Sequence, residues 1–116
     1  MTNAAAIKAR FLQDAPSLRL GNLAANLARV QTFASDDSHR DVVANLIEES
    51  AFFVEWAAPD ADHETQLVLL DLQRKLLGWR RDWSQTWEDH TSRTTVAEMA
   101  GQWSLRLLRI AGLLPE

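Results

Sequence analysis

Two aspartates each stand three residues before a histidine, a spacing that places both side chains on one face of a helix. The pairs are Asp36 with His39 and Asp60 with His63, and divalent metals accept carboxylate and imidazole ligands. Di-iron bundles instead carry Glu-x-x-His pairs inside their helices. Both pairs here stand where helices are expected to begin and where aspartate is a common cap. The third histidine, His90, would share one end of a bundle with His39 alone, so the sequence predicts no metal site.

A run of aromatic and basic residues, WRRDW at positions 79–83, has the composition of a surface that stacks on single-stranded nucleic acid. On a helix, however, Arg81 points about 160° away from Trp83, so the two cannot form one stacking platform. The net charge of −4 also opposes binding to phosphates. The sequence therefore predicts no nucleic-acid binding.

Catalytic groups are sparse. Glu49 is the one acid close to the apolar stripe of its helix, and a paired-carboxylate site would need a second inward acid. We expect Glu49 to lie at the edge of the stripe and reach water, the alternative being a buried partner such as an indole N–H. The sequence holds no cysteine and no glycine-rich phosphate loop. It predicts a protein that is not an enzyme and that uses no cofactor.

Apolar residues recur at the helical period along four long segments, and no stretch alternates as a strand would. The first predicted helix covers residues 17–34, with Asp14 as its cap, and the second runs from the polar break at 36–38 to about residue 58. The third covers residues 63–88 and is opened by Asp60 and Asp62. The fourth begins at Thr95, which forms a capping box with Glu98. A shorter helix is expected at 3–13. The predicted fold is all-α, an antiparallel up-down-up-down four-helix bundle with a short extra N-terminal helix. Residues 1–116 form one domain, with 1–14 as an N-terminal helical extension.

Tryptophans dominate the predicted interior. Trp79, Trp83 and Trp87 repeat at intervals of four and continue the stripe of Leu72 and Leu76 on one helix face. The fourth helix carries an inner stripe of its own, namely Val96, Met99, Trp103, Leu107, Ile110 and Leu114. These side chains form either a core or an apolar pocket for a flat ligand, with the candidate lining Trp56, Leu76, Trp79, Trp83, Trp87 and Trp103.

Two helices carry a second apolar stripe that a simple bundle does not need. The third helix adds two leucines and the fourth adds a row with small residues that would let another backbone approach: Leu70, Leu77, Ala97, Gly101, Leu105, Leu108 and Gly112. The N-terminal helix could fold over these stripes through Ile7, Phe11 and Leu12. A second subunit could also cover them, since symmetric dimers are common. Single exposed leucines are the third alternative.

Charge is unevenly distributed along the chain. Residues 31–63 hold eight acids and one base, Arg40, whereas residues 72–81 hold only bases. These surfaces either pair as neighbours in one bundle or steer a partner toward it.

Three segments resemble small, uncharacterised helical-bundle proteins of cyanobacteria: RLGNLAANLARV at 19–30, EWAAPD at 55–60 and LQRKLLGWRRDW at 72–83. The resemblance implies a helical bundle in the cytoplasm of a phototroph. It implies no activity and no functional residues.

The sequence as a whole predicts a cytoplasmic, non-enzymatic interaction protein. Its partner is expected to be protein, with a homodimer as one form. No stretch approaches the roughly 18 apolar residues that a membrane span requires. The alternative is a carrier of a small apolar ligand in the tryptophan-lined interior.

Overall fold

Helices account for nearly all of the chain in the computed structural model, which describes residues 3–114. The six helices are α1 (Ala4–Gln13), α2 (Pro16–Ala34), α3 (Arg40–Ala57), α4 (His63–Arg81), α5 (Trp83–Glu88) and α6 (His90–Ile110). A single 3₁₀ turn at Ala58–Asp60 follows α3, and no strand occurs within these bounds. The all-α prediction is confirmed.

Polar side chains mark two of the helix starts. Asn3 accepts a hydrogen bond from the backbone N–H of Ala6 at 3.2 Å, and Asp62 accepts one from that of Thr65 at 2.8 Å. Such N-caps satisfy backbone donors that have no partner within the helix. The predicted cap of α2 is wrong: Ala15 holds the N-cap position without a side-chain bond, and Pro16 opens the helix.

Arg19 forms hydrogen bonds that connect the loop between α1 and α2 to the 3₁₀ turn that follows α3. Its guanidinium donates to the backbone oxygens of Leu12 and Asp14, each at 2.8 Å, and to the Asp60 carboxylate at 2.7 Å. The Arg19 side chain is only 12% exposed. A planar guanidinium with five donors can satisfy three acceptors at once, which fixes where α1 leaves the body of the molecule.

The third predicted helix is broken in two. Asp82, with φ −98° and ψ 10°, separates α4 from α5, so the chain turns before the last two tryptophans. The indole of Trp83 then donates to the backbone oxygen of Arg40 at 3.2 Å, and the guanidinium of Arg40 donates to Ser84 at 3.0 Å. A straight helix would carry Trp83 onward along the α4 axis, whereas the break folds it against the start of α3.

The last helix begins at His90, five residues before the predicted start. The capping box is wrong because Thr95 already lies inside the helix, where its hydroxyl bonds the backbone oxygen of Thr91 at 3.0 Å. The helix predicted to start in the polar break at 36–38 is α3, which begins at Arg40 and ends at Ala57. It starts later than predicted because the Asp36 carboxylate accepts hydrogen bonds from Ser38 in the preceding loop and caps no helix.

Packing centres on α2, which lies against α3 on one side and α6 on the other. The outermost long helix, α4, packs mainly on α3 and makes few contacts with α6, while α5 packs on α6. The four-helix up-down-up-down bundle stays a prediction, because the α4–α6 pair that would close the ring is nearly absent. The N-terminal helix α1 packs on α3 through Phe11, whose ring stacks on Phe53 at 4.4 Å.

Small side chains make the contact between α2 and α6. The residues buried on α6 are Val96, Ala97, Ala100, Gly101, Ser104 and Leu107. The Ser104 hydroxyl donates to the backbone oxygen of Ala24 at 2.8 Å, and the Gln31 side chain lies over Gly101. The predicted inner stripe of α6 is therefore rotated: Met99 and Trp103 are half-buried and Ile110 is exposed. Close backbone approach at small residues decides which face turns inward.

None of the helices described between residues 3 and 114 is both long enough and apolar enough to cross a membrane.

Candidate functional site

A stripe of six residues runs along the solvent side of α4, and we call it the outer seam. Its members follow one another at intervals of 4-3-4-3-4: His63, Leu67, Leu70, Arg74, Leu77 and Arg81. Alternating steps of three and four keep side chains on one face of a helix, which is the seam spacing of a coiled coil. The buried residues Leu69, Leu72 and Leu76 lie about 150° away, on the side that faces α3 and the core.

The leucines of the outer seam are unusually open to solvent. Leu67 is 53% exposed, Leu70 is 48% exposed and Leu77 is 44% exposed. One leucine at such exposure is ordinary on a protein surface. Three of them in a single stripe, Leu67 beside Leu70 and Leu77 beyond Arg74, concentrate apolar surface on one helix face, as interaction surfaces do.

A groove of about 600 Å³ between α3 and α4 borders this seam. Val54 and Pro59 line it from the α3 side, and Leu67 and Leu70 line it from α4. Two glutamines tie the helices together beside it: Gln66 donates to the backbone oxygen of Ala58 at 2.8 Å, and Gln73 to that of Ala51 at 3.0 Å. The groove wall is thus held by hydrogen bonds, and the apolar surface is presented on a fixed pair of helices.

The charges beside the outer seam change sign along α4. Its first half carries Glu64 and Asp71, preceded by Asp60 and Asp62, and its second half carries Arg74, Lys75, Arg80 and Arg81, all of them exposed. The two charges that meet at the end of α4 influence each other: Arg81 donates to Asp82 at 3.0 Å, which lowers the pKa of Asp82 and raises that of Arg81. The seam therefore carries three exposed leucines, with Arg74 between two of them, and its surroundings change from an acidic end to a basic end.

The predicted interface residues lie on different sides of the molecule. Leu70 and Leu77 are on the outer seam. On α6, Ala97 and Gly101 are buried, Gly101 against Gln31 of α2, whereas Leu105 is 47% exposed. The remaining two lie toward the end of α6: Leu108 is half-buried at a shallow groove beside α2, and Gly112, with φ +72°, follows the last turn.

The second stripes are not covered by α1, which lies on α3 instead. Leu70 and Leu77 remain exposed in the folded chain, and the small residues of α6 are covered by α2. Leu67 completes the seam and is missed by the sequence prediction. Its signal is the 4-3-4-3-4 spacing, which becomes visible only when His63, Arg74 and Arg81 are read as members of the stripe.

Two of the tryptophans, Trp56 and Trp83, lie at opposite ends of α3. Trp56 packs with Phe11, Phe52 and Phe53 near the end of that helix, at centroid distances of 5.6–5.9 Å. Trp83 contacts Arg40 at the start, about 24 Å away along the axis. One cavity lined by both residues is therefore not formed.

The other members of the predicted lining have different surroundings. Trp83 and Trp87 are buried with ring centroids 5.4 Å apart, and the Arg93 guanidinium lies 4.8 Å from the Trp87 ring. Leu76 is fully buried, and Trp79 and Trp103 are half-buried against the core. Trp83 and Trp87 are therefore packed core residues, and Trp83 has a polar anchor in its hydrogen bond to Arg40.

A second cleft, of about 500 Å³, opens between α1, α2 and α3. Asn26, only 2% exposed, donates to the Glu49 carboxylate at 3.1 Å and accepts from the Arg29 guanidinium at 3.1 Å. Glu49 is half-buried, and its partner comes from α2. Sequence reasoning missed Asn26, although its position between Leu23 and Val30 on the buried side of α2 was a usable signal.

Histidines and acids do not converge elsewhere. Within residues 3–114, no three or more histidine or acidic side chains lie close enough to hold a metal ion. His39 lies 3.6 Å from Asp36, whose pKa is lowered chiefly by hydrogen bonds from Ser38. His90 contacts Arg93 at 3.2 Å. These side chains belong to the ends of helices and to the loops between them.

Comparison with models of known protein families, with curated protein sequences and with solved structures returned no match, so the resemblance to cyanobacterial proteins stays a prediction.

Proposed function

We propose that this chain is a non-enzymatic helical module that associates with a second copy of itself through the outer seam of α4. The observation that carries the proposal is the exposure of three leucines in one stripe, directly opposite the buried face of the same helix. The spacing of that stripe is the one that a second helix covers with its own side chains. A self-complementary patch closes into a two-fold dimer, the commonest form of protein self-association.

The expected strength of this association follows from the exposed leucines. Burying a leucine completely stabilises a complex by about 1.5–3 kcal/mol, so each half-exposed leucine contributes about 1 kcal/mol. Six leucines across a two-fold interface then contribute about 5–9 kcal/mol, against an association cost of at least about 4 kcal/mol. The net gain is then at most about 5 kcal/mol, so we expect a reversible dimer with a Kd of about 0.2 mM or weaker.

The position of α4 in the molecule also supports the proposal. We place α2, α3, α4 and α6 in up-down-up-down order, because short connections join the first three of them. The bonds from Asn26 to Glu49 and from Gln73 to Ala51 link positions that lie at similar distances from the intervening turns. With α4 at the edge of this row, a second copy meets no steric obstacle in reaching the outer seam.

Sedimentation velocity tests the proposal, over about 10 µM to 2 mM so that the measurement reaches the concentrations at which the expected dimer forms. Leu70→Glu should raise the Kd about 100-fold, because the two-fold axis places the new carboxylate in the interface twice. Leu18→Glu is the matched control, since Leu18 on α2 is also 48% exposed, and it should leave the Kd unchanged. Equal effects of the two variants would contradict a role for the seam.

Leu105→Glu separates the two predicted interaction stripes. If the dimer forms through α4, this change on α6 should leave the Kd unchanged although Leu105 is 47% exposed. Native mass spectrometry provides an independent check. A monomer that carries extra mass would oppose self-association and favour the alternative function, a carrier of a small apolar ligand.

A further inference from the structure

We infer that the two copies pair antiparallel along α4, so that the acidic half of each outer seam faces the basic half of the other. This orientation rests on the proposed self-association and adds to it the direction and the register of the partner. The observation behind it is the change of charge sign along a helix face that also carries three exposed leucines.

The charge pattern allows only one orientation to be complementary. Glu64 and Asp71 stand in the first half of α4, and the second half holds Arg74, Lys75, Arg80 and Arg81 with no acid among them. In a parallel pair, acids would lie beside acids and bases beside bases, and like charges across an interface oppose association. In an antiparallel pair, each acidic half meets a basic half, and the helix dipoles also oppose one another.

The same two-fold axis brings the apolar positions into register. Centring the axis on the helix places Leu67 opposite the partner copy's Leu77 position. Leu70 then lies opposite Arg74, whose aliphatic stem can cover the leucine while the guanidinium stays in water. His63 lies opposite Arg81, and Glu64 and Arg80 share an end of the pair on opposite flanks, where they attract across the interface at low salt without a direct ion pair.

Cysteine crosslinking tests the orientation with little interference, because the 116-residue sequence contains no cysteine. In the antiparallel pair the two copies of position 63 lie about 27 Å apart, since 18 residues separate positions 63 and 81 along the helix. A disulfide needs Cα atoms within about 7 Å. His63→Cys alone and Arg81→Cys alone should therefore stay uncrosslinked, whereas an equimolar mixture of the two variants should form the mixed disulfide dimer.

The outcomes distinguish failure of the orientation from failure of the proposed function. A disulfide-linked dimer of His63→Cys alone would show a parallel pair and overturn the antiparallel orientation while leaving self-association intact. A dimer in sedimentation that gives no crosslink in the mixture would place the interface away from the seam and overturn the inference. A protein that sediments as a monomer at every concentration would overturn the proposed function itself.

Charge reversal gives a second and independent test. Glu64→Arg should weaken self-association about two- to tenfold at low salt, because it sets like charges together twice, and Arg80→Glu should do the same. Mixed together, the two variants should form a heterodimer at about the wild-type Kd, since one end of the pair is complementary with reversed sign and the other end keeps its native charges. Glu98→Arg on α6 is the control and should have no effect. A mixture that associates no better than either variant alone would contradict the antiparallel register.

Discussion

Replacement of Trp83 by alanine is the sharpest test of how α5 is held. The ring is 6% exposed, packs at 5.4 Å from Trp87, and donates its indole N–H to the backbone oxygen of Arg40, 43 residues earlier in the chain. Trp83→Ala removes all three interactions and leaves a cavity at the junction of α3, α5 and α6. Large-to-small changes of this kind cost about 3–5 kcal/mol of unfolding free energy.

Trp83→Phe separates the ring from its hydrogen bond. Phenylalanine retains most of the buried apolar surface and loses the donor to Arg40, so we expect a smaller loss, about 1–2 kcal/mol. The total stability of a domain of this size is about 5–15 kcal/mol, which makes the difference between the two variants easy to resolve. Urea unfolding followed by far-UV circular dichroism measures both, because the signal does not depend on the tryptophan that is replaced.

Trp103→Ala is the matched control. Trp103 is half-buried, with the Arg106 guanidinium 5.0 Å from its ring centroid, so its removal should cost about 2 kcal/mol or less. The reasoning would be refuted if Trp83→Ala lost less than about 0.5 kcal/mol, or if Trp103→Ala were the more damaging variant. Either result would mean that the break at Asp82 does not place Trp83 in the core.

Gly78→Ala should raise the unfolding free energy by about 0.5–1 kcal/mol in urea titrations, because a Cβ there meets nothing within 4 Å and alanine favours the helix. Gly112→Ala should lower it by about 1 kcal/mol, since φ is +72°, and equal signs for the two glycines would contradict the backbone description. The pKa of Asp62 lies below its ordinary value of 3.8 because the carboxylate accepts the Thr65 N–H, so its stabilisation is present above that value and is lost as pH falls through the lowered pKa. In thermal melts the advantage of wild type over Asp62→Ala should therefore shrink steadily below about pH 4, and a constant difference down to about pH 2 would oppose this assignment. Arg19→Ala should lower the unfolding free energy by about 2–3 kcal/mol and speed amide hydrogen exchange in α1, because the hydrogen bonds from Arg19 to Leu12, Asp14 and Asp60 are lost. Unchanged exchange in α1 would oppose that role of Arg19.

The helices with a regular apolar stripe were predictable from sequence. In α2, Leu20, Leu23, Leu27 and Val30 follow at steps of three and four, and all four are buried. The pattern suffices here because α2 lies between two other helices and these four stripe residues all find a neighbour. The N-terminal helix was also predictable, since Asn3 caps it by a purely local hydrogen bond.

The break between α4 and α5 could not be predicted, because its cause lies far away in the sequence. Asp82 is neither glycine nor proline, and the tryptophan spacing of four continues through it. What ends the helix is the contact of Trp83 with Arg40, together with the burial of Trp87 beside α6. Local propensity is a weak signal wherever a tertiary contact of this kind competes with it.

Tertiary packing also explains why the sequence identified two of the exposed leucines of α4 correctly but predicted the wrong inward face for α6. Ranking by hydrophobicity turns Trp103 and Ile110 of α6 inward, but the helix instead buries Ala97, Ala100 and Gly101, because these small residues let its backbone approach α2 closely. On α4 there is no such competition: one face is filled by Leu69, Leu72 and Leu76, and every further leucine must lie outside it. Leu70 and Leu77 were therefore identifiable as a surplus from periodicity alone. The direction that we propose for the outer seam rests on the arginines within it and on the acids beside it, and substitution of these residues should weaken the proposed dimer.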